Sequence, residues 1–328
     1  MIKASSFKPA WYLANSHLQT LWPFVFRNRH HPPVETERLE LPDGDFIDLV
    51  WTDSQSNKPI VVILHGLEGS YRSHYIPGLL CQLQIAGFRC VVMHFRGCSG
   101  EPNRLDRAYH SGDIDDVAYL VKQITTREPQ TLVYAVGISL GGNVLLKWLG
   151  QSGGSNPLRA AVAVSVPFQL DICADTLNRG IARLYQLHLL RSLVNNVMNK
   201  FAARPAPFDL QRVAKIKTLR EFDDVVTAPL HGFDNAAHYY AVSSSRQYLP
   251  TIERPTLIIH AKDDPFMTPQ VIPHDHELSP STTLELSDKG GHVGFITTGS
   301  NCKIRYTLDS RIRDFLLNSH TVHAPRAK

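Results

Sequence analysis

The sequence lacks the features that would set it apart from ordinary globular proteins. Its cysteines stand singly with no Cys-x-x-Cys pair, which argues against a disulfide scaffold or a zinc site. No run approaches the roughly 18 apolar residues of a membrane-spanning helix, and no apolar run follows Lys3 as a secretion signal requires. We therefore expect a reducing, cytoplasmic setting. The five cysteines are Cys81, Cys90, Cys98, Cys173 and Cys302.

The chain also carries little excess of positive over negative charge. The formal net charge is +4, and Lys and Arg alternate with Asp and Glu along the chain, so no basic stripe indicates nucleic-acid binding. One local excess of basic residues runs from Arg179 to Lys217, and we interpret it as a solvated helix face rather than a surface for an acidic partner or a membrane. The 328 residues, 43% of them hydrophobic, can bury one large core. The oligomeric state is not predicted.

Short, almost continuously apolar runs rich in β-branched residues are typical of parallel strands buried on both faces. Such runs are Ile60–Leu64, Arg89–Phe95, Leu132–Ile138, Ala160–Val166 and Thr256–His260. Helix-compatible stretches separate them, namely Ser73–Ala86, Ile114–Ile124 and Leu140–Leu149. Two alternating segments around Asp43-Gly44 come first, as in an antiparallel hairpin. We predict an α/β fold whose sheet is mostly parallel with an antiparallel N-terminal hairpin.

Two segments depart from this rhythm. The first 35 residues contain four prolines and many aromatic residues, so we expect an irregular arm packed on the body of a single domain spanning residues 1–328. From residue 167 to residue 254 no buried strand is evident. Ile181–Met198 has apolar residues at helical spacing, and Leu210–Leu219 could form a further helix. We expect a helical insertion over this interval.

Gly137-Ile138-Ser139-Leu140-Gly141 stands where an apolar strand meets a helical stretch. That context is what the nucleophile elbow of an α/β-hydrolase requires, because the strand must turn sharply into the helix and leave the serine hydroxyl exposed. Side chains two residues to either side would collide, so both positions are glycine. Ser139 is therefore the predicted nucleophile, and the insertion at 167–254 corresponds to a lid over the site.

A serine hydroxyl needs a base, usually a histidine held by a carboxylate, and the chain order in this fold is Ser, acid, His. His292 lies between glycines near the C-terminus, after the probable strand Thr282–Leu286. Asp263 and Asp264 follow the strand that ends near Ala261. We favour Asp264 as the acid, three residues beyond Ala261, and expect Asp263 to fix the loop or face solvent.

The anion that develops during attack needs two backbone N–H donors. We predict Leu140, next to the nucleophile, and Leu67, in the loop after the strand Ile60–Leu64, as these donors. His65 in the same loop is expected to be structural. His274 and His276 could bind a metal with Asp275, but no third-ligand spacing supports such a site, so we expect neither a metal nor a cofactor.

At these residues the chain resembles the YheT-like α/β-hydrolases, a family that includes eukaryotic ABHD-type esterases and the yeast medium-chain ethyl-ester synthases. The likeness runs nearly end to end and implies a triad of Ser139, Asp264 and His292. It gives no mechanism for Asn15–Thr20 and Arg220–Asp224, which we expect to anchor the arm and the lid against the body. The motifs that carry it are Asn15–Thr20, His65–Ser70, Phe95–Gly100, Tyr109–Gly112, Gly137–Asn143, Arg220–Asp223, Ala261–Pro265 and Gly290–Gly294.

The family implies hydrolysis of carboxylic esters, with acyl transfer to an alcohol in some members. We expect an esterase acting on a small-molecule ester, of short to medium acyl chain. Acyl transfer is the alternative, since the same residues perform both. A catalytically silent binding module is a third reading, and amide, peptide or thioester substrates stay open. The apolar residues of 181–198 fit either an acyl-chain pocket or ordinary core packing.

Overall fold

In a computed structural model the chain is described at residues 1–27, 30–53, 57–299 and 303–321, so Cys302 lies outside the described residues. Among these residues nine strands form one sheet, and a separate two-stranded ribbon lies near the C-terminus. The sheet strands are β1 (Ile2–Ala4), β2 (Glu35–Glu40), β3 (Phe46–Trp51), β4 (Ile60–Leu64), β5 (Arg89–Met93), β6 (Val133–Ile138), β7 (Ala161–Val164), β8 (Thr256–Ala261) and β9 (Thr282–Ser287). The ribbon strands are β10 (Ile296–Thr298) and β11 (Ile304–Tyr306).

The sheet has the order β1-β9-β8-β7-β6-β4-β5-β3-β2. Its neighbours are parallel except at the β5–β3 and β3–β2 pairs, which form the antiparallel edge. Every residue of β4, β5, β6, β7 and β8 is buried, in keeping with their nearly continuous apolar sequences. The predicted fold class is confirmed.

Helices cover both faces of the sheet. Residues 60, 62 and 64 of β4 pack with the helices at 115–127 and 140–152 on one face, and residues 61 and 63 pack with the helices at 76–85 and 307–321 on the other. The helices are α1 (Ser16–Phe26), α2 (Ile76–Ile85), α3 (Asp115–Arg127), α4 (Leu140–Ser152), α5 (Leu170–Leu177), α6 (Ala182–Lys200), α7 (Leu210–Val213), α8 (Leu219–Phe222), α9 (Ala228–His231), α10 (Ala236–Ser243) and α11 (Thr307–Thr321). Short 3₁₀ turns occur at Trp11–Leu13, Gly153–Ser155, Ser245–Thr251, Pro269–Val271 and Asp275–Glu277.

The segment between β7 and β8 is helical and has its own small core. Leu190, Val197, Phe201 and Phe222 belong to a cluster separate from the two that flank the sheet. The prediction of one helix over 210–219 is wrong, because α7 and α8 are separate. Thr218 ends the intervening turn and caps α8 in a capping box with Glu221, a signal that the sequence already carries.

The first 35 residues are more regular than predicted. β1 adds to the sheet edge beside β9, and α1 extends for 11 residues with Pro23 inside it. Asn15 begins α1 by accepting hydrogen bonds from the His17 and Leu18 amides. Among the described residues, no helix combines the length and the hydropathy that crossing a membrane demands.

Candidate active site

Ser139 lies in a strained turn between β6 and α4. Its φ of 53° and ψ of −117° belong to a region that L-residues rarely adopt. A Cβ on Gly137 would collide with the backbone of Gly141, and a Cβ on Gly141 would collide with the carbonyl group of Leu64. The two glycines therefore let the strand fold back tightly onto its helix, and that turn presents the Ser139 hydroxyl at the carboxyl edge of the sheet.

The loop after β9 brings His292 to Ser139. His292 Nε2 lies 3.0 Å from Ser139 Oγ, and His292 Nδ1 lies 2.7 Å from Asp264 Oδ2. With the proton on Nδ1, the imidazole donates to the carboxylate and offers Nε2 as the acceptor for the serine hydroxyl. The three side chains therefore form one hydrogen-bonded chain.

Of the two adjacent acids, only Asp264 reaches the imidazole. Its other oxygen accepts the Phe266 amide at 2.9 Å, which fixes the rotation of the carboxylate. Asp263 instead accepts the Gly291 amide at 3.0 Å, and partial burial raises the pKa of its carboxyl. The structure thus gives Asp264 contact with His292 and gives Asp263 the loop that carries His292.

The motif Asn15–Thr20 holds that loop from the N-terminal side, a role that sequence reasoning missed. Thr20 Oγ1 accepts the His292 amide at 2.9 Å. The buried Gln19 side chain donates to the Leu13 and Ile296 carbonyls and accepts the Ile296 amide. Because α1 supplies a direct bond to the backbone of His292, the position of the imidazole depends on the first 35 residues of the chain.

Phe266 stacks on the His292 ring, with centroids 4.0 Å apart and an interplanar angle of 6°. On its other side Phe266 contacts Tyr185 of α6. The Tyr185 hydroxyl lies 3.0 Å from His17 Nδ1 of α1. The helical segment and the N-terminal arm thereby meet directly above the imidazole.

The loop after β4 passes beside Ser139. A Cβ placed on Gly66 would lie 3.3 Å from Ser139 Cβ, so only glycine allows this approach without a shift. Leu67 follows in this loop, and its amide has no acceptor among the described residues. The Leu140 amide is the first of α4 and has no acceptor inside its own helix. Both predicted donors thus adjoin the serine.

His65 anchors this loop from beneath. Its Nδ1–H donates to the Gly66 carbonyl at 2.8 Å, and its Nε2 accepts the Phe95 amide at 3.1 Å. Burial lowers the pKa of His65 to about 3, so the ring stays neutral. Neither nitrogen contacts Ser139, and both serve the backbone.

Glu68, one residue beyond Leu67, joins the loop to the helical segment. Its amide donates to the Tyr109 hydroxyl, which in turn donates to Glu68 Oε1 at 2.8 Å. Ser192 and Asn196 of α6 donate to Oε2 at 2.6 and 2.5 Å. Desolvation raises the pKa of the Glu68 carboxyl. The conformation next to Leu67 is therefore coupled to the position of α6.

The segment Arg220–Asp224 ties the insertion together. Asp223 accepts hydrogen bonds from the Tyr240 and Thr227 hydroxyls, each at 2.6 Å. Asp224 accepts the Ala236 amide at 2.6 Å, and Arg220 pairs with Asp175 of α5 at 3.1 Å. Asp223–Thr227 forms a π-helical turn, and the side-chain bonds of its two acids join that turn to α10.

A cavity of about 780 Å³ opens onto Ser139, Leu67, Leu140 and His292. The apolar part of its wall comes mainly from the helical segment, through Leu170, Leu177, Leu184, Leu189, Leu193, Val197, Leu219, Phe222, Val226 and Leu230. Some polar residues also line it, among them His110, His231 and Asp223. Burial lowers the pKa of His110 to about 3 and that of His231 to about 2, so both are neutral. The chamber thus pairs a reactive hydroxyl with a largely apolar wall.

In the described part of the chain, no group of three or more His, Cys, Asp or Glu side chains is arranged to hold a metal ion. His274 and His276 stack on each other, with centroids 5.5 Å apart. Asp275 instead accepts the Ile2 amide at 2.5 Å.

Comparison with known proteins places this geometry in a family. Residues 59–298 match the sequence model described as the alpha/beta hydrolase fold. The chain is 44% identical to the Escherichia coli (strain K12) protein named "Putative esterase YheT", over 95% of this chain and 93% of that protein. It is 33% identical to the Saccharomyces cerevisiae "Medium-chain fatty acid ethyl ester synthase/esterase 2", over 82% of this chain and 64% of that protein. The Pyrococcus furiosus esterase Pf2001 superposes with a TM-score of 0.58 at 18% identity, covering 88% of this chain and 91% of that one.

Proposed function

The chain belongs to the α/β-hydrolase family, within its YheT-like branch, and on that premise we propose that it is a serine carboxylesterase acting through an acyl-enzyme on Ser139. The observation that carries this proposal is the hydrogen-bonded chain of Ser139, His292 and Asp264 at the cavity. A neutral imidazole that accepts from a serine and donates to a buried carboxylate is the arrangement that activates a hydroxyl as a nucleophile.

The reaction has two steps. In the first, Ser139 Oγ attacks the ester carbonyl carbon while its proton passes to His292 Nε2, and the Leu67 and Leu140 amides donate to the developing oxyanion. The alcohol leaves with the proton from His292 and an acyl-enzyme remains. In the second step, His292 takes a proton from water, the hydroxide attacks the acyl carbon, and Ser139 is released with its proton restored. Asp264 orients the imidazole and stabilises its cationic form.

The helical segment at 167–254 acts in this proposal as the lid of the site. It supplies most of the apolar wall, and it contacts Phe266 above His292 and Glu68 beside Leu67. An acyl chain lying on that wall would bury apolar surface, which supports short- to medium-chain acyl esters as substrates.

No cofactor takes part in these steps. The four described cysteines are free thiols, which supports a cytoplasmic location.

Acyl transfer to an alcohol is the second candidate. It is favoured by the yeast relative, whose name includes both ester synthesis and ester hydrolysis. An alcohol would replace water in the second step, with the same proton transfers at His292. Nitrophenyl ester turnover with added ethanol or glycerol distinguishes the two reactions, since new ester formed well above the hydrolysis background would favour transfer.

The test of the nucleophile uses Ser139→Ala beside Ser155→Ala, an exposed serine in the 3₁₀ turn that follows α4. We expect Ser139→Ala to lose a fluorophosphonate label and at least about 10³-fold in kcat on nitrophenyl esters, and Ser155→Ala to keep both. Equal labelling of Ser139→Ala would overturn the proposal. Absence of labelling and turnover in the wild-type chain would instead favour a silent binding module.

A further inference from the structure

The cavity mouth is bordered by an exposed apolar rim, contributed by α1 and the first half of α6. The two helices meet through the Phe24–His188 ring contact, with centroids 5.9 Å apart, and through the His17–Tyr185 bond. Leu21, Phe24, Ile181, Leu184 and His188 also line the cavity. The rim consists of Leu18, Leu21, Phe24, Val25, Phe26, Ile181, Leu184 and Leu187, all between 43% and 67% exposed.

Exposed apolar side chains that cluster at the mouth of a cavity mark a site of interaction. Single exposed leucines are common, but these residues recur every three or four positions on two touching helices. A protein partner seated on the rim would block the opening that leads to Ser139. A lipid surface would instead cover the rim and supply ester substrate directly to the opening.

The charge around the rim indicates which lipid surface it fits. No Asp or Glu occurs in residues 1–34 or in residues 176–208, the two segments that contain α1 and α6. Arg179, Arg183 and Arg191 are exposed, and within the described ranges none of them pairs with a carboxylate. Basic residues beside an apolar helix face are the pattern of helices that lie on anionic membranes.

We propose that the rim docks on an anionic phospholipid bilayer, with its apolar residues entering the headgroup–acyl boundary and the three arginines contacting lipid phosphates. This replaces the interpretation of the basic excess near Arg179 as a solvated face. Docking itself needs no catalysis. The inference rests on the proposed function only where it expects an ester from the bilayer to be hydrolysed at Ser139.

Binding is measured with the full chain carrying Ser139→Ala, which removes the proposed nucleophile. The probes are vesicles of phosphatidylcholine alone and of equal parts phosphatidylcholine and phosphatidylglycerol, in a flotation assay. We expect binding to the mixed vesicles, weaker binding to the neutral ones, and a loss of binding as salt is raised. Failure to bind the mixed vesicles would overturn the proposal.

Two sets of variants assign the binding to the rim. Val25→Ser with Leu187→Ser removes exposed apolar side chains that do not line the cavity, and we expect vesicle affinity to fall at least about tenfold. Arg183→Gln with Arg191→Gln should weaken binding to mixed vesicles about fivefold per arginine. Ile85→Ser, an exposed apolar residue at the end of α2, is the matched control and should bind as before.

Turnover separates docking from chemistry. On a soluble short-chain nitrophenyl ester the Val25→Ser, Leu187→Ser chain should match the wild type. On a medium-chain ester dispersed in mixed vesicles it should lose rate in proportion to its binding. Unchanged vesicle binding by this double variant would overturn the proposal. A wild-type dimer and a monomeric double variant, measured by light scattering, would also overturn the proposal, because the rim would then join two copies of the chain. Vesicle binding without any wild-type turnover would remove the esterase proposal and leave the docking.

Discussion

The sheet with its flanking helices differs from the helical segment at 167–254 in how much of each element is buried. In β4 through β8 every residue is buried, so each strand is held on both faces. In α6, by contrast, only Ala182, Gln186, Leu190 and Val197 are buried among 19 residues, about one per turn. The sheet region is therefore fixed by packing on both of its faces, whereas the insertion rests on a narrow stripe of contacts.

The division extends to the candidate chemistry. Ser139, Asp264 and His292 all follow parallel strands of the sheet, at the ends of β6, β8 and β9. Among the described residues, the insertion contacts Phe266 through Tyr185 and Glu68 through Ser192. Phe266 in turn stacks on His292, and Glu68 adjoins Leu67. We infer that the sheet region sets the rate of the reaction and the insertion sets which substrate arrives. The predictions that follow test this division, from the largest effect to the smallest.

The largest effect is expected when each of the two adjacent carboxylates is changed to the amide in turn. Asp264→Asn removes the acceptor of the His292 Nδ1 proton, and we expect kcat to fall about 10³- to 10⁴-fold, as for the corresponding change in serine proteases. Asp263→Asn keeps an oxygen for the Gly291 amide and should cost no more than about tenfold. Steady-state kinetics on a nitrophenyl ester measure both. Equal losses would mean that the imidazole is not held by Asp264.

A second contrast compares a glycine of the sheet region with one of the insertion. Gly141→Ala drives a Cβ into the Leu64 and His65 carbonyls, so we expect the free energy of unfolding to fall by at least about 3 kcal/mol. Gly180→Ala meets nothing within 4 Å, and its φ of +50° should cost only about 1 kcal/mol. Urea denaturation followed by circular dichroism measures both. A tolerated Gly141→Ala would show that the elbow is less tightly packed than the backbone distances imply.

Chain-length selectivity tests the insertion itself. Leu193→Trp adds volume to the apolar wall, and we expect kcat/KM to fall at least about tenfold for long-chain nitrophenyl esters with little change for the acetate. Asn195→Trp, on the exposed side of the same helix and outside both the cavity and the rim, is the control. A uniform loss for all chain lengths would mean that α6 acts on the chemistry and not on selection.

The smaller of the two stability effects concerns pH. Desolvation raises the pKa of Asp223 in the insertion to about 6. A folded-state pKa above the unfolded value stabilises the fold at low pH, and that contribution is lost as pH rises from about 4 to about 6. The asparagine of Asp223→Asn does not titrate, so it keeps its contribution as the pH rises. The free energy of unfolding of the variant, relative to that of the wild type, should therefore increase by on the order of 2 kcal/mol between about pH 4 and about pH 7. Denaturation at the two pH values tests this, with the exposed Asp224→Asn as control.

Much of the fold could be predicted because the signals are local. Continuous apolar runs predicted the buried strands, and Asp43-Gly44 predicted the hairpin that forms the antiparallel edge. Where prediction failed, a local signal was overlooked or a distant contact decided the outcome. The capping box at Thr218 separates α8 from α7 and was legible in the sequence. The strand β1 was not, because three residues become a strand only when β9 lies beside them.

The candidate site divides in the same way. The Gly-x-Ser-x-Gly pattern after an apolar strand determines by itself the turn at Ser139, because the clashes that select glycine lie within the turn and the adjoining strand. The sequence already favoured Asp264 as the acid. Only the tertiary structure decides that Asp263 holds the loop of His292, that Thr20 supports His292 across 272 residues, and that α6 bonds to Glu68. Such contacts join residues far apart in the chain, and their geometry exists only once the sheet has brought its strand ends together.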